Sequence, residues 1–219
     1  IYFGLTNMPW LPLILIYGLI GFKIGGLKLS ITIVASFLFI TFTGVLPQAL
    51  LSIYLCGIAV IISFILGSSL GIWAAHNDKV SAFMRPINDT MQTMPSFVIL
   101  IPFVMFFGIG EFTALLAIIA YAFVPAMRYT EHGLRNLPET VIEAARMIGC
   151  SQTQLLWKVK IPLAMPVIML GLNQTIMFGL AMLVIAALVG TTGLGQLIYI
   201  GLSKADFGTG MISGVSIAL

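Results

Sequence analysis

Charged residues are scarce in this chain. They make up 8% of its 219 residues, whereas 60% are hydrophobic and the mean hydropathy is +1.12. A soluble domain carries roughly 25% charged residues, because its surface must be solvated. Ten Lys and Arg with seven Asp and Glu cannot cover a soluble body of 23.6 kDa. The composition therefore predicts an integral membrane protein.

Residues that bind metals or form disulfides are equally few. The cysteines, Cys56 and Cys150, lie far apart in or beside apolar stretches, and the histidines are His76 and His132. A disulfide framework or a metal cluster needs more such residues at closer spacing. We therefore expect this chain to hold no metal. No Ser/His/Asp or Cys/His constellation is placed for nucleophilic chemistry either, so we expect no catalytic residues and no cofactor.

Long apolar runs occupy most of the chain. A helix needs about 20 mainly apolar residues to cross a bilayer. The candidate runs are 9–22, 27–46, 48–75, 93–110, 112–127, 163–189 and 207–219. The last run is too short to cross, so we expect the C-terminal helix to continue beyond Leu219. The runs predict an all-α integral membrane protein.

The basic residues alternate between the apolar runs. Nine of the ten fall in three loops, after the first, third and fifth runs: Lys23, Lys28, Lys79, Arg85, Arg128, Arg135, Arg146, Lys158 and Lys160. The opposite side holds Lys204 with Glu111 and Asp206. Cytoplasmic loops are enriched in Lys and Arg, so the side with nine is predicted to be cytoplasmic. The net charge of +3 then reflects these loops and not affinity for nucleic acid.

The longest cytoplasmic loop, about 128–161, carries helix signals of its own. Asn136 and Glu139 have the spacing of a capping box with Pro138 in the first turn, which predicts a helix start. An apolar stripe follows at helical spacing. Its members are Leu137, Val141, Ile142, Ala145 and Ile148.

The second half of this loop predicts a turn and another helix. Gly149 stands where a helix end uses a left-handed residue. Ser151 and Gln154 again have capping-box spacing and predict a short helix to about Lys160, before the next span begins at Pro162. Such a hairpin is a surface helix among lipid headgroups or a docking element for a soluble partner. A DNA-binding helix-turn-helix is rejected, because this loop connects two membrane spans and carries five basic and three acidic residues.

The loop resembles the EAA loop of ABC importer permeases. That family's pattern is EAA, three residues, Gly, nine residues and I-x-L-P, and the spacing here matches throughout. Val159 and Ile161 replace the usual Ile and Leu. The resemblance implies that one set of residues couples the chain to an ATPase: Glu143, Ala144, Ala145, Gly149, Ile161 and Pro162. We expect Glu143 to pair with Arg146 or another basic loop residue, not to act as an acid or base.

A narrower resemblance covers roughly residues 48–219. The segments 92–97, 163–166, 173–175 and 193–196 are similar to those of glycine betaine/proline betaine permeases of osmoprotectant importers. Permeases for choline, carnitine or trimethylamine oxide share much of this pattern, and methionine-type importers share the core and the EAA loop. The resemblance implies a permease subunit that imports a small quaternary amine by alternating access. The alternatives are a permease for another solute such as an amino acid and, more remotely, a membrane scaffold or an intramembrane enzyme.

The resemblance also implies a fold and partners. The fold is the MetI-like five-helix core of type I ABC importers over residues 48–219, preceded by two extra helices within 1–47. The partners are cytoplasmic ATPase subunits that bind ATP and Mg, a second permease copy in a homodimer, and an external substrate-binding protein. The sequence has no G-x-x-x-x-G-K-[ST] motif to hold phosphate, so we expect a non-enzymatic subunit in the bacterial inner membrane.

Few residues in the spans suit an aqueous path. Asn173 and Gln174 are costly in hydrocarbon, so at least one should line a path or make a helix–helix hydrogen bond. Met94, Phe97 and Phe103 offer soft or aromatic surface to a quaternary amine. Phenylalanine is abundant, with 15 residues, so ordinary packing is the alternative for this group.

Overall fold

A computed structural model describes residues 10–219, and its regular secondary structure in that range is entirely helical. The all-α prediction is confirmed. Pro9, where the first predicted run begins, lies outside the described residues. The helices are α1 (Trp10–Phe42), α2 (Leu46–His76), α3 (Asp78–Thr93), α4 (Ser96–Phe107), α5 (Glu111–Arg135), α6 (Glu139–Met147), α7 (Gln152–Val189), α8 (Leu194–Ser203) and α9 (Phe207–Ala218).

Several of these helices have the length and apolarity of membrane spans. Within residues 10–219, α1, α2, α5 and α7 pass by length and apolarity, although α1 is folded back on itself at Gly26, and α3 with α4 would form a fifth span bent by 103°. α8 and α9 are shorter apolar helices. The membrane-protein prediction from composition is therefore matched by the lengths of the helices.

α1 is a hairpin of two helical halves. Gly26 interrupts it with a φ of 71°, a left-handed value that favours glycine. The two halves lie side by side: Ser30 Oγ in the second half donates a hydrogen bond of 2.8 Å to the carbonyl oxygen of Gly18 in the first. The rings of Tyr17 and Phe37 stack with their centroids 5.1 Å apart. The predicted runs 9–22 and 27–46 thus correspond to the two arms.

The closest helix contact joins α2 and α5. A Cβ atom on Gly67 would lie 2.6 Å from Cβ of Ala126, and one on Gly71 would lie 2.7 Å from the carbonyl oxygen of Met127. Only glycine fits at such separations, and small residues of this kind allow helices to associate in membranes. α8 and α9 also approach closely, but there the small residue that is required is Gly201, whose Cβ would lie 2.7 Å from the backbone nitrogen of Gly210, whereas a Cβ on Gly210 or Gly214 would meet nothing within 4 Å.

The core lies where α2, α4, α5 and α7 meet. It consists largely of small side chains that are fully buried, so packing holds these helices together where lipid supplies no hydrophobic driving force. The buried members include Ala59, Leu100, Ala114, Ala117, Ile118, Met182 and Ala186. Ser63 Oγ also donates a hydrogen bond of 3.1 Å from α2 to the carbonyl oxygen of Ile119 on α5.

α3 and α4 are separated by a sharp break. The side chain of Asn77 caps α3 by accepting from the N–H groups of Lys79 and Val80. Met94 is extended, with φ −68° and ψ 137°, as expected for a residue before proline, and Pro95 precedes α4. The sequence predicted one span over 93–110. Its helical part instead begins at Ser96, because Pro95 ends the preceding helix.

Two predicted boundaries around the cytoplasmic loop are wrong. The fifth run was expected to end at 127, but α5 continues to Arg135. The short helix expected to end near Lys160 is instead continuous with the following span, through a π-helical segment over Leu155–Lys160. Pro162 directly follows the start of Ile161–Ala186, and α7 continues through it.

Candidate coupling hairpin and transport path

The hairpin that the sequence predicts to be cytoplasmic begins directly after α5. The backbone N–H of Asn136 donates to the carbonyl oxygen of His132 at 3.1 Å, and the Asn136 amide donates to the same oxygen at 2.9 Å. α6 begins at Glu139 with Pro138 at its N-cap and no side-chain cap. The capping box predicted for Asn136 and Glu139 is therefore wrong, because Asn136 closes the helix before it.

Gly149 makes the turn between the arms. Its φ is +89°, as the sequence predicted for a left-handed helix end. The N–H of Gly149 donates to the carbonyl oxygen of Arg146 at 2.9 Å, and the N–H of Cys150 donates to that of Ala145 at 3.2 Å. This pair of bonds is the Schellman arrangement, which satisfies carbonyl groups left open at the end of a helix.

The second arm begins with the predicted capping box, which is confirmed. The N–H of Gln154 donates to Ser151 Oγ at 3.3 Å, and the N–H of Ser151 donates to Gln154 Oε1 at 3.0 Å. Leu155 is fully buried, and Ile161 packs against a small cluster at the base of the hairpin. That cluster consists of Leu134, Ala164 and Ile168. Pro162 is exposed.

The outward face of α6 is defined by Glu143, Ala144, Met147 and Ile148, which we call the docking face. All four are exposed, and Met147 and Ile148 are 90% and 84% accessible. Ala145 alone in the EAA triplet is buried, at 8%. The predicted ion pair of Glu143 with Arg146 is wrong: within residues 10–219, Glu143 pairs with no basic residue, because it points away from the chain with the docking face.

A buried carboxylate joins α5 to α3 at the base of the hairpin. Glu131 is 8% exposed, and its Oε1 accepts a hydrogen bond of 2.5 Å from Ser81 Oγ. Arg135 Nε lies 3.0 Å from the same oxygen, and an Arg85 nitrogen lies 3.9 Å from it. A buried charge is tolerated only when paired and hydrogen-bonded, and Glu131 meets both conditions.

Arg135 extends this network to α2. Its guanidinium donates to Asp78 Oδ1 at 2.8 Å and to the carbonyl oxygen of Ala74 at 2.7 Å. The ends of α2 and α5 and the start of α3 are therefore fixed to one another where the hairpin begins. Sequence reasoning missed Glu131. The available signal was the i, i+4 spacing of Glu131 and Arg135 in a chain with few charges.

Arg128 is a second charged residue that the sequence placed in a loop. It lies inside α5, about two helical turns before Arg135. Its guanidinium donates to Asp89 Oδ1 at 2.5 Å and to the Gln92 side-chain oxygen. Both acceptors belong to α3, close to the break at Met94.

Two adjoining cavities open beside Arg128. One, of about 450 Å³, is lined by Gln92, Arg128, Tyr129 and His132. The other, of about 440 Å³, shares Arg128 and His132 and extends toward Glu131. Charged side chains line both, and the second is lined by Arg85, Asp89, Glu131 and Arg135 as well as Arg128.

The aromatic path candidates occupy different environments. Met94 is half-buried at the break between α3 and α4, and Phe97, one turn later, is 54% exposed. Phe103 packs against the core cluster around Leu100, so its environment is the ordinary packing that the sequence left as the alternative. Met94 and Phe97 thus flank the break between α3 and α4, whereas Phe103 belongs to the packed core.

The amide candidates lie in the middle of α7. Asn173 is exposed and Gln174 is half-buried. Neither side chain has a hydrogen-bond partner among the described residues, so the helix–helix bond considered as an alternative does not form within this part of the chain. An exposed Asn in a span is stable only against water or another protein surface.

The sequence matches the family described as "Binding-protein-dependent transport system inner membrane component" over residues 67–219. The matched region contains the hairpin, both cavities and α7. The chain belongs to this family and is an inner-membrane protein.

Curated relatives are permeases. The glycine betaine/proline betaine transport system permease protein ProW of Escherichia coli is 38% identical over 98% of this chain and 61% of its own length. The glycine betaine transport system permease protein OpuAB of Bacillus subtilis is 36% identical over 99% of this chain and 77% of its own length. The chain thus spans less than two thirds of the first relative.

The fold is shared with a solved transporter. A chain of the MetNI methionine ABC transporter, in an inward-facing crystal structure, matches with a TM-score of 0.70 and 21% identity. The match covers 77% of this chain and 85% of that one. At this identity the likeness shows the fold alone, which is the MetI-like fold that the sequence resemblance implied.

Proposed function

We propose that the chain is the permease subunit of an ATP-driven importer for a betaine-type quaternary amine. Permease relatives for glycine betaine support the substrate class. The docking face carries the proposal, because it is an apolar surface on a rigid hairpin at the side that the basic residues mark as cytoplasmic. Exposed apolar patches rimmed by polar residues are typical of protein interaction sites.

The partner of the docking face is an ATPase subunit. Met147 and Ile148 provide two apolar anchors, and Glu143 beside them provides an unpaired carboxylate for a basic group of the partner. Closure of two ATPase subunits would draw two hairpins together. Because α7 is continuous from Gln152 to Val189, movement of the second arm reaches the membrane without an intervening hinge.

The complete importer needs two further partners. A second copy of the permease would cover the exposed face of α7 that carries Asn173, and the path would run between the copies. An external binding protein would deliver the substrate. ATP and Mg would bind to the ATPase subunits, and this chain would supply no catalytic group.

Co-purification and uptake test this function together. The double variant Met147→Asp with Ile148→Asp should still insert, because both residues lie outside the spans, but should lose the ATPase. Desolvating two carboxylates in an apolar contact is strongly unfavourable. In vesicles that hold the ATPase and the binding protein, ATP-driven uptake of radiolabelled glycine betaine should fall to background.

The matched control is Lys204→Asp, an exposed substitution after α8 on the opposite side of the membrane. It should retain the ATPase at the level of the unmodified chain. Equal ATPase recovery with the double variant would remove the docking role, and failure of the unmodified complex to take up any quaternary amine would remove the transport role.

A further inference from the structure

The cavity lined by Gln92, Arg128, Tyr129 and His132 has the size of a small-molecule site. Its volume of about 450 Å³ falls within the range of roughly 300–1,000 Å³ that ligand pockets occupy. It lies next to Met94, where α3 ends and the chain bends into α4. The cavity lies on the side of the chain that the basic residues predict to be cytoplasmic.

The charges in this region indicate contact with water. The side chains of Arg128 and Asp89 are 41% and 57% exposed, although Arg128 lies inside the spanning helix α5. A charged residue on a spanning helix does not face hydrocarbon, because its desolvation is too costly, and such residues mark substrate or ion pathways. The face of α5 that carries Arg128 therefore lines an aqueous vestibule.

The groups around the vestibule complement a zwitterion. Arg128 uses two of its five N–H donors on Asp89 and Gln92 and keeps others for a carboxylate. The amide nitrogen of Gln92 has no partner among the described residues and can donate to the same carboxylate. Tyr129 lines the cavity, and an aromatic ring can attract a quaternary ammonium group, which cannot donate a hydrogen bond. Asp89, paired with Arg128, lines the adjoining cavity.

We propose that this cavity is a cytoplasmic-side binding site for a zwitterionic betaine, with the carboxylate on Arg128 and Gln92 and the trimethylammonium group against Tyr129. The inference rests on the proposed function and adds a substrate site within this chain. A zwitterion brings no net charge to the Arg128–Asp89 pair. The two charged ends of the ligand can therefore bind without breaking that ion pair. α7 holds Tyr129 in place, since a Cβ on Gly171 would lie 2.7 Å from Cβ of Tyr129.

Equilibrium binding of radiolabelled glycine betaine to the purified permease–ATPase complex, without binding protein or nucleotide, tests the site. The unmodified complex should bind saturably, and Arg128→Gln should weaken binding about tenfold or more, because a charge-assisted bond is lost. Tyr129→Leu should weaken it several-fold, whereas Tyr129→Phe, which keeps the ring, should not. The matched controls are Tyr199→Leu and Lys204→Gln, both outside the cavity, and they should bind normally.

Choline, which has the ammonium group without the carboxylate, gives a readout that is independent of folding defects. The unmodified complex should bind it about tenfold more weakly than glycine betaine, and Arg128→Gln should remove this preference. The site is refuted if glycine betaine binding is absent or insensitive to both Arg128→Gln and Tyr129→Leu, while vesicles still take up glycine betaine. Loss of uptake in unmodified vesicles would instead refute the proposed function.

Discussion

Ser81 on α3 donates a hydrogen bond of 2.5 Å to Glu131 on α5, although the two residues are 50 positions apart in the sequence. Both are buried, at 2% and 8% exposure. The bond connects the first helix after α2 to the last turns of α5, directly before the hairpin. Through α3 it also links the base of the hairpin to the break at Met94.

Glu131→Ala should destabilise the fold. The variant leaves Ser81 Oγ without its acceptor and removes the buried partner of Arg135, and an unsatisfied buried polar group costs about 1–3 kcal/mol. Thermal unfolding of the purified chain in detergent, followed by intrinsic fluorescence, measures the loss. Glu131→Gln should lose less thermal stability than Glu131→Ala, because its amide oxygen can still accept the hydrogen bond from Ser81.

Asp78→Ala provides the control, since Asp78 also bonds to Arg135 but its side chain is 93% exposed. An exposed ion pair contributes roughly 0–1 kcal/mol, so the melting temperature should change little. Equal destabilisation by the two alanine variants would show that the contribution of Glu131 to stability does not depend on its burial.

Gly67→Ala should loosen the contact between α2 and α5. The new methyl group would lie 2.6 Å from Cβ of Ala126 and 2.8 Å from the carbonyl oxygen of Phe123, so the helices must separate. Overpacking of this kind costs typically 1–3 kcal/mol. Gly57→Ala in the same helix meets nothing within 4 Å and should be neutral or slightly stabilising. A similar thermal shift for both variants would contradict the close approach.

Local features of the hairpin were predictable from the sequence. The left-handed Gly149 and the capping box of Ser151 depend on residues within a few positions of each other, so spacing determines them. The helical class and the family likewise followed from composition and from the EAA spacing. The predicted cap at Asn136 failed because the same side chain can end one helix or begin the next, and local spacing does not distinguish these roles.

Features that depend on packing were not predictable in this way. Glu131 becomes a buried acceptor only because α3 folds against α5, a contact between distant segments. The direction of Glu143 depends on which side of α6 packs against the segment Leu155–Lys160, and that choice leaves its side chain exposed. Asn173 and Gln174 were recognised as costly in a span, but a single chain does not show what covers them.

The orientation in the membrane can be tested with single cysteines after Cys56 and Cys150 are replaced. Lys79→Cys and Arg146→Cys should be shielded from an impermeant thiol reagent in intact cells, whereas Lys204→Cys should react. All three positions are exposed, so a lack of labelling reflects the side of the membrane and not burial. Permeabilised cells should label all three. Labelling of Arg146→Cys in intact cells would reverse the topology and exclude the cytoplasmic docking role.

Gly149→Val should separate insertion from coupling. Gly149 has a φ of +89°, and a β-branched residue held there costs about 1–3 kcal/mol in strain. A Cβ at this position meets nothing within 4 Å inside the chain, so the expected damage comes from backbone strain and from lost contact with the ATPase, not from a clash within the fold. The variant should reach the membrane in normal amounts, but about tenfold less ATPase should co-purify with it and ATP-driven uptake should be lost.

Gly149→Asn is the matched control, because Asn tolerates the left-handed conformation, and this variant should retain most of the ATPase binding and most of the uptake. Normal ATPase recovery and uptake with Gly149→Val would show that the turn does not position the docking face.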